Sequence, residues 1–478
     1  MKQCGRFPPK VFGNDTKRYS KRPLNGYLRE WSGIELKRSA PTISKTAIIF
    51  FSVIFISGCL TVRLPKVEIK ETKEGTRLTW KEVVNQTLRN NPDLVSARYD
   101  ISSSAQNRNQ VVGNFLPTVS GSLERDRLRT TSTADMHDSI EAGISGEQPL
   151  FTGFDNTGKF LKAKKDLETS KWSYQETSAN ARNQLRSSYV ALLRLERLLE
   201  TNGGIAERRK NNAELIRLRY DGGRENLGSA LRAEAISDRA AFGVRQTRRQ
   251  IDSESLLLCR QIGNEFRMPI RVEGDLEKMI PKNIDSVPGY SELAEKVPTV
   301  HKLISTAESY KAALISAQAT AWPQISGLLD YGYSGNQWSD MRDAFLVGIK
   351  VSMPFFSGGK NVEAILKAKA DYKSALEKAR SAQNDAIAQL ADAWTQLKDA
   401  VEIVDVQNKF LLAARKRAEI IRAEYATGLV NFQDFDIAEQ DLADSEVAYV
   451  QSLSNVLLKE ANWEFVKGST LEDALNEK

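Results

Sequence analysis

Side chains that commonly perform catalysis or bind metal ions are scarce in this sequence. It contains two histidines, His137 and His301, and three cysteines, Cys4, Cys59 and Cys259. Their spacing matches neither a metal-binding motif nor a disulfide framework. The sequence also has no glycine-rich phosphate loop and no nucleophile elbow. The residues therefore predict a protein that is not an enzyme and that has no catalytic residue and no metal site.

The charged residues favour a solvated helical surface over a polyanionic partner. They make up 27% of the chain and include both signs, with a formal net charge of +7. Much of the positive excess lies before Cys59, and no basic patch interleaved with aromatic residues is found in the sequence. We therefore expect no nucleic-acid partner.

Cys59 is the cysteine whose surroundings predict a covalent modification. Residues 46–58 form an apolar run that follows several basic residues and is too short to span a bilayer, as in a signal peptide. Its end, Ile-Ser-Gly-Cys at 56–59, resembles the lipobox of bacterial lipoproteins, in which cleavage before the cysteine leaves an acylated N-terminus. This resemblance implies a leader and signal peptide at 1–58 and a lipidated linker at 59–77, with the lipid on Cys59. A transmembrane anchor that ends at an unmodified cysteine is the alternative.

The elements that position the other candidate residues are arranged in two repeats. Pro-Leu-Phe-Thr-Gly at 149–153 matches Pro-Phe-Phe-Ser-Gly at 354–358, and Arg-Tyr-Asp-Gly-Gly at 219–223 matches Glu-Tyr-Ala-Thr-Gly at 424–428. Both matches have the same offset of roughly 205 residues, which indicates an internal duplication. The predicted boundaries are 78–287 for the first repeat, 288–468 for the second repeat and 469–478 for a C-terminal tail.

Each repeat is predicted to end in a long helical hairpin. The second hairpin, at about 359–467, lacks proline and consists mainly of strong helix formers, and a glycine marks its tip near 425–430. Its first helix would reach about 100 Å at 1.5 Å per residue, so it must pack along other helices. Its apolar residues recur at an average spacing of about 3.5, typical of a coiled coil. The first hairpin, at about 153–265, has its tip near 220–225 and contains Asn-Gly-Gly at 202–204, which we expect to interrupt the outgoing helix.

Two stretches of alternating polarity precede these hairpins. The stretches at about 116–150 and about 323–355 each predict two strands joined by a loop. In the first stretch we expect a loop at 125–138 with His137 near its tip, whereas His301 lies on a predicted helix. Four strands of about ten residues fit a lipid-facing wall but are too few to close a ring of useful bore. Several chains would therefore share one barrel, because open strand edges cannot be satisfied in lipid.

In their order and spacing, these features resemble TolC-type outer membrane efflux proteins, the outer membrane factor family, and in particular its lipoprotein branch. The matching segments are Leu-Thr-Trp at 78–80, Asn-Pro at 91–92, Pro117, Pro323, Gln-Pro-Leu-Phe at 148–151, Met-Pro-Phe-Phe-Ser-Gly-Gly at 353–359 and the tips at 219–223 and 425–428. The resemblance implies a mainly α fold with a small β part, built from a duplicated helix-helix-strand-strand-hairpin repeat. It also implies a homotrimer whose shared twelve-stranded β-barrel continues into a long α-helical coiled-coil barrel.

The resemblance also implies a transport function. Such proteins are exit ducts of tripartite efflux or type I secretion systems, and they receive substrate from an inner-membrane pump through a periplasmic adaptor. We therefore expect a location in the outer membrane of a Gram-negative bacterium, contact with its lipid, a long periplasmic part, and no cofactor other than the lipid on Cys59. The alternative is a lipid-anchored periplasmic coiled-coil scaffold without a pore, which leaves the paired strands unexplained.

In this family the hairpin turns form the closed periplasmic end. The resemblance makes Asp434, nine residues after Tyr425, a pore-constriction candidate, together with Asp436 and Tyr425 itself. The second acidic position of the family falls at Ile437, and a position sometimes held by arginine is Val430, so the salt-bridge pattern differs. Alternatively, the two aspartates stabilise a helix start through its macrodipole. The adaptor-facing tip candidates are Arg219, Tyr220, Gly223, Gly428 and Leu429.

Overall fold

The computed structural model describes residues 77–129, 136–263, 270–281 and 286–476. The predicted leader, the acylation site at Cys59 and nearly all of the linker at 59–77 lie outside the described residues. Among the helices of the described ranges, none combines the length and the apolar character needed to cross a membrane.

The described chain runs twice through one order of elements: two helices, two strands and a helical hairpin. The first repeat consists of β1 (Arg77–Leu78), α1 (Trp80–Asn90), α2 (Pro92–Val112), β2 (Thr118–Arg129), β3 (Met136–Phe151), α3 (Asp155–Asp221) and α4 (Leu227–Ile262). The second consists of β4 (Arg271–Val272), α5 (Tyr290–Ala294), α6 (Pro298–Gln318), β5 (Gln324–Gly335), β6 (Arg342–Ser352), α7 (Lys360–Thr427) and α8 (Phe432–Val466), and α9 (Leu471–Asn476) follows. This order confirms the predicted duplicated, mainly α fold.

Short polar motifs set where the first two helices begin. Thr79 and Glu82 form the capping box of α1, because the Thr79 N–H donates to Glu82 Oε2 at 2.8 Å and the Glu82 N–H donates to Thr79 Oγ1 at 3.4 Å. Asn91 caps α2 by accepting from the Asp93 N–H at 2.9 Å. The Asn91 amide also donates to the Gln261 carbonyl at 2.7 Å, which ties this corner to the end of α4.

Two helices of nearly equal length dominate the structure. α3 has 67 residues and α7 has 68, and each is followed by a shorter partner, α4 or α8. The predicted interruption at 202–204 is wrong, because α3 runs unbroken through this segment. Asn202 Nδ2 donates to Thr247 Oγ1 of α4 at 3.0 Å, so the neighbouring helix supports the weak point. Each glycine costs about 1 kcal/mol relative to alanine, and the packing of the long flanking segments on α4 and α8 offsets this cost.

The four long strands form one antiparallel sheet in the order β2-β3-β5-β6. The loop predicted at 125–138 is wrong in extent, since β2 continues to Arg129 and β3 begins at Met136. Arg127 lies opposite Asp138 and donates to it from Nε at 2.6 Å, and a cross-strand charge pair of this kind favours strand pairing. His137, expected at a loop tip, therefore belongs to β3.

Alternation of side chains gives this sheet two different faces. The apolar face carries exposed large side chains, namely Val119, Leu123, Ile144, Leu329, Tyr331, Phe345, Val347, Ile349 and Val351. The polar face carries mostly small or polar side chains such as Ser120 and Ser145, whose hydroxyl oxygens are 2.6 Å apart, together with the exposed Leu346. Among the described residues, β2 and β6 each have a strand partner on one side only. A single chain therefore leaves both an apolar face and two strand edges uncovered.

The largest cluster of buried side chains lies where α1, α3, α4 and α8 meet the short parallel pair of β1 and β4. Leu185, Leu258 and Leu457 are fully buried there. The Tyr189 hydroxyl donates to the Glu273 carbonyl, and burial raises the pKa of Tyr189 to about 12. Both repeats contribute helices to this cluster, so it fixes their relative position.

The segment predicted as a C-terminal tail at 469–478 forms a docked helix, α9, over most of its length. Leu471 is fully buried in the main cluster. The Glu472 carboxylate accepts hydrogen bonds from the hydroxyls of Tyr174 and Ser178, both at 2.6 Å. The apolar side of α9 and this polar clamp explain why the segment is ordered against α3.

Candidate functional site

The first helical tip is a tight turn between α3 and α4. Gly223 has φ +68°, a left-handed conformation that favours glycine. The Arg224 N–H donates to the Arg219 carbonyl at 2.8 Å and the Gly223 N–H to the Tyr220 carbonyl at 2.9 Å, which is a Schellman motif. Asn226 then caps α4 by accepting from the Ser229 N–H at 2.9 Å. These local bonds explain the turn predicted near 220–225.

The second tip, between α7 and α8, repeats this geometry. Gly428 has φ +84°, and the Leu429 N–H donates to the Glu424 carbonyl at 2.9 Å. Asn431 caps α8 by accepting from the Asp434 N–H at 2.9 Å. The same turn and cap therefore occur at both ends of the duplication, with different side chains around them.

Tyr425 is one of the most buried side chains at the tips. It is 2% exposed, and its ring stacks on Phe435 with centroids 4.6 Å apart. The Arg219 guanidinium lies 4.4 Å above the ring, and Arg219 Nη1 donates to the Tyr425 carbonyl at 2.6 Å. The Tyr425 hydroxyl donates to Glu225 Oε2 at 2.9 Å. Burial, together with this bond to a carboxylate, raises the pKa of Tyr425 to about 12.

These contacts show where the structure places two of the candidate residues. Tyr425, a pore-constriction candidate, is packed between the two hairpins and joins them, and its role at a constriction stays a prediction. Arg219, an adaptor-facing candidate, directs its guanidinium to the backbone and ring of Tyr425, and contact with an adaptor stays a prediction. An aromatic ring and a guanidinium gain more from stacking on each other out of water than from separate exposure, which explains both positions.

Asp436, the other buried constriction candidate, lies in an ion-pair network between the hairpins. Its Oδ1 accepts from Arg209 Nη1 at 3.1 Å and its Oδ2 from Arg232 Nη2 at 2.9 Å. Arg209 also donates to the Gln440 side-chain oxygen at 2.9 Å. Asp436 is 7% exposed and Arg209 is 6% exposed. This carboxylate is therefore held between the hairpins of a single chain, and a role of Asp436 at a constriction stays a prediction.

Asp434 has a different environment. It is exposed in the first turn of α8, and its carboxylate makes no ion pair with any residue in the described ranges. The neighbouring Ile437 is 43% exposed. This position is compatible with a constriction and with simple stabilisation of the helix start. The role of Asp434 therefore stays a prediction.

The remaining tip candidates differ in accessibility. Gly223 and Gly428 are exposed, and Leu429 is 78% exposed. Tyr220 is half-buried, with the Arg217 guanidinium 5.5 Å from its ring centroid. The surface available to a partner at the turns is therefore formed by the glycines and Leu429 more than by Tyr220.

Sequence reasoning missed the residues that connect the two hairpins. Cations from α3 and α4, at Arg209, Arg219 and Arg232, contact acceptors on Tyr425 and Asp436 in the second hairpin. These partners are more than 200 residues apart, and no periodicity links them. The arrangement can hold the second hairpin against the first or, when these contacts break, release it.

One ion pair within each hairpin could have been found from the sequence, because it recurs at the same spacing in both repeats. Arg217 pairs with Glu234 at 3.4 Å, and Arg422 pairs with Glu439, where Arg422 Nε is 3.0 Å from Oε1. Both pairs have a separation of 17 residues, so they are counterparts in the duplication. Within the described ranges, no group of three or more His, Cys, Asp or Glu side chains is arranged to hold a metal ion.

Known proteins share this sequence pattern and this fold. The sequence profile described as outer membrane efflux protein matches residues 83–264 and 289–466. The chain is 20% identical over 401 residues to the outer membrane efflux protein BepC of Brucella suis biovar 1 (strain 1330), which covers 80% of this chain and 86% of BepC.

Two solved structures with the same fold are outer membrane proteins. The outer membrane protein VceC of Vibrio cholerae superposes with a TM-score of 0.70 at 18% identity, covering 81% of this chain and 96% of VceC. The open state of the Neisseria gonorrhoeae MtrE outer membrane channel superposes with a TM-score of 0.72 at 16% identity, covering 85% of this chain and 97% of MtrE. Because the profile match spans both repeats, the chain belongs to the outer membrane efflux protein family.

Proposed function

We propose that the protein is the outer-membrane exit duct of a tripartite efflux or type I secretion system in a Gram-negative bacterium. Substrate would enter from an inner-membrane pump through a periplasmic adaptor and leave through the sheet end. The observation that supports this most directly is the two-faced sheet attached to helices of 67 and 68 residues. An exposed apolar face suits lipid, and a polar opposite face suits a water-filled lumen.

The proposed duct is a homotrimer, because four strands need partners on both edges. Inside the chain, β3 of the first repeat pairs with β5 of the second, and α3 packs on α6. The duplication provides counterparts of these contacts, β6 with β2 and α7 with α2, but the described chain does not make them with itself. Neighbouring copies can make them head to tail, and three copies give the twelve-stranded ring of the family.

The junction after β6 supports this arrangement. Phe151 in the first repeat is half-buried and contacts Phe154 edge to face, with ring centroids 5.5 Å apart. Its counterpart in the second repeat, Phe356, is 90% exposed. Phe151 is also the Cα partner of Ile325, whose counterpart in the first repeat is Val119. We therefore expect Phe356 to lie beside Val119 of a neighbouring copy.

The tips would form the periplasmic end of the duct. Exposed Gly223, Gly428 and Leu429 would face the adaptor, and the buried contacts of Tyr425 and Asp436 would keep each second hairpin against its first. Three copies of the exposed Asp434 around the axis would repel one another and attract cations.

We also propose that the mature chain is anchored through Cys59. The apolar run before Cys59 and the Ile-Ser-Gly-Cys segment support acylation there. Several acyl chains on one N-terminus hold a protein at a membrane far more firmly than one chain does. The anchor would add to the attachment that the strands provide.

Single-particle imaging of the detergent-extracted mature protein tests the duct. We expect a tapered tube with threefold symmetry that is longer than about 100 Å, as helices of this length require. A thin rod or a compact single chain would contradict the duct and favour the scaffold without a pore.

Cysteine cross-linking tests the ring in the same preparation. The Phe356→Cys/Val119→Cys variant should form cross-linked dimers and trimers, and nothing larger, because directly opposed strand residues lie within disulfide reach. Each single substitution serves as a control and should give no ladder. A ladder that continues beyond three copies would rule out a closed threefold ring.

A further inference from the structure

Three charged side chains lie together on the apolar face, near the ends of β2 and β3 that are remote from the helices. Arg127 Nε donates to Asp138 Oδ1 at 2.6 Å, and one Nη of Arg125 and one Nη of Arg127 each donate to Oδ2 at 3.1 Å. The two arginine side chains are nevertheless 58% and 60% exposed, and the Asp138 side chain is 23% exposed. The cluster is therefore accessible from the side that carries the apolar residues.

The position of this cluster is at the border of the apolar area. Arg125 follows Leu123 by two residues on the same face, so it lies roughly 7 Å further along the strand. On β5, Tyr331 and Tyr333 share the face, and their hydroxyl oxygens are 2.9 Å apart. Tyrosine at the limit of an apolar band marks a membrane–water interface. The arginines therefore stand where headgroups begin, at the end of the sheet opposite the helices.

The charges within the cluster do not balance. Two guanidinium groups share one carboxylate, and Arg125 donates to it through a single Nη, without another acceptor among the described residues. In the proposed ring, β2 lies beside β6 of the next copy, whose apolar face carries Phe345, Val347 and Ile349. The same face of β6 also carries Asp343. The register of β3 on β5, applied to the counterpart strands, places Val347 opposite Arg127 and Ile349 opposite Arg125, so the cluster keeps a positive charge among the described residues.

From this geometry we propose that Arg125 and Arg127 bind the phosphate groups of a lipid headgroup in the external leaflet of the outer membrane. Guanidinium groups form paired, charge-assisted hydrogen bonds with phosphate oxygens. Phosphorylated headgroups are anions found at this depth, and basic side chains at the edge of an apolar band bind them. The inference rests on the proposed function, because it requires the apolar face to lie in lipid.

Native mass spectrometry of the purified full-length trimer tests the inference. The probes are bisphosphorylated lipid A and the same lipid after removal of its phosphates. We expect the wild-type trimer to retain the bisphosphorylated lipid and to bind the dephosphorylated lipid weakly. The Arg125→Gln/Arg127→Gln variant should bind the bisphosphorylated lipid about tenfold more weakly and the dephosphorylated lipid as before.

Two further variants serve as controls. Arg342→Gln/Lys350→Gln removes the same number of cations from the polar face of β6, and it should leave lipid binding unchanged. Asp138→Asn removes the competing carboxylate and keeps both arginines, so binding should be at least as tight as in the wild type. A loss of binding in Asp138→Asn equal to that in the arginine variant would show that the cluster only supports the strands and would overturn the inference.

The remaining outcomes separate this inference from the proposed function. If the Arg125→Gln/Arg127→Gln variant dissociates into single chains, the arginines stabilise the contact between copies, for example with Asp343 of the neighbour. This result would refute the lipid site. If the wild-type trimer binds both lipids equally, the headgroup site is refuted and the duct remains. If imaging of the wild type shows no threefold tube, the duct itself fails and the lipid site fails with it.

Discussion

The two helical tips have the same backbone and different surroundings. Each long helix ends in a glycine at positive φ, Gly223 or Gly428, and each following helix is capped by an asparagine, Asn226 or Asn431. The duplication has therefore preserved the parts that local hydrogen bonding dictates. The side chains that pack around each turn differ, because they come from the other hairpin.

The paired ions show how much the surroundings matter. In the first hairpin the carboxylate of Glu234 is 45% exposed, whereas in the second the equivalent carboxylate of Glu439 is 2% exposed. The first hairpin also supplies the cations of the junction and the second supplies Tyr425 and Asp436 as acceptors. The comparison shows that the two equivalent turns carry chemically complementary side chains where they meet.

Replacing the tyrosines should give the largest difference in stability loss between the two tips. Tyr425→Ala should destabilise the second tip by about 4 kcal/mol, because a fully buried aromatic side chain and its hydrogen bond are lost. The counterpart Tyr220→Ala should cost about 1 kcal/mol, since this ring is only half-buried. Hydrogen exchange of the amides near each turn measures both values. Equal losses would show that the tips are not specialised.

Removing the buried carboxylate of Asp436 should give the next largest loss of stability. Asp436→Ala leaves Arg209 buried without its counter-ion and should cost about 3 kcal/mol. The position equivalent to Asp436 in the first hairpin is Leu231, which is 53% exposed, and Leu231→Ala should cost less than about 0.5 kcal/mol. Thermal unfolding of the two variants is the measurement. Adding Arg209→Met to Asp436→Ala should restore much of the loss, and no recovery would contradict a pairing role.

A smaller difference in stability loss is expected between the equivalent glutamates of the two hairpins, Glu439 and Glu234. Glu439→Gln should cost about 1 kcal/mol, because Glu439 is buried while its partner Arg422 is 44% exposed. Glu234→Gln should change stability by less than about 0.5 kcal/mol, as for exposed ion pairs. Denaturant unfolding in low and high salt compares the two. A larger salt dependence for Glu439 than for Glu234 would argue against its burial.

Alkaline pH should loosen the second tip selectively. The pKa of Tyr425 is raised to about 12 in the folded chain, so the folded state favours the neutral phenol. This contribution is complete below the unfolded tyrosine pKa of about 10 and is lost as pH rises through about 12. Amide exchange at the second turn should therefore accelerate over this range, beyond the base-catalysed rate. In Tyr425→Phe the additional acceleration should be absent, and its persistence would assign it to another group.

The smallest effect on stability is expected at Asp434. Asp434→Asn should change unfolding by less than about 0.5 kcal/mol, because the side chain is exposed and only its backbone N–H is bound by the cap. The same variant should reduce the preference of the channel for cations in planar bilayer recordings. An unchanged conductance and an unchanged cation preference would exclude Asp434 from the constriction.

Much of the fold was predictable because it depends on local patterns. Alternation identified the strands, helical composition identified the long helices, and the glycines at 223 and 428 marked the turns. The errors arose where tertiary contacts outweighed local preference. The helix continues through 202–204 because α4 supports it, and β2 and β3 are longer than predicted because Arg127 pairs with Asp138.

The candidate site was less predictable. The sequence located the tips, but it did not show that Tyr425, Asp436 and Arg219 make contacts between the two hairpins. Their burial depends on how two hairpins from different repeats lie against each other, and no spacing within one helix encodes this. Asp434 and the exposed turn residues needed only the position of the turn, so the sequence was sufficient to place them.

The two open edges of the sheet have a consequence for how the proposed duct is made. A strand edge exposes backbone groups that hydrocarbon cannot hydrogen-bond, so a lone chain cannot place β2 and β6 in a bilayer. Insertion and oligomerisation then form one kinetic event, whose rate depends more steeply than first order on the concentration of chains. Until that event occurs, each newly exported chain is a species at risk of aggregation and needs a chaperone or rapid capture by other copies.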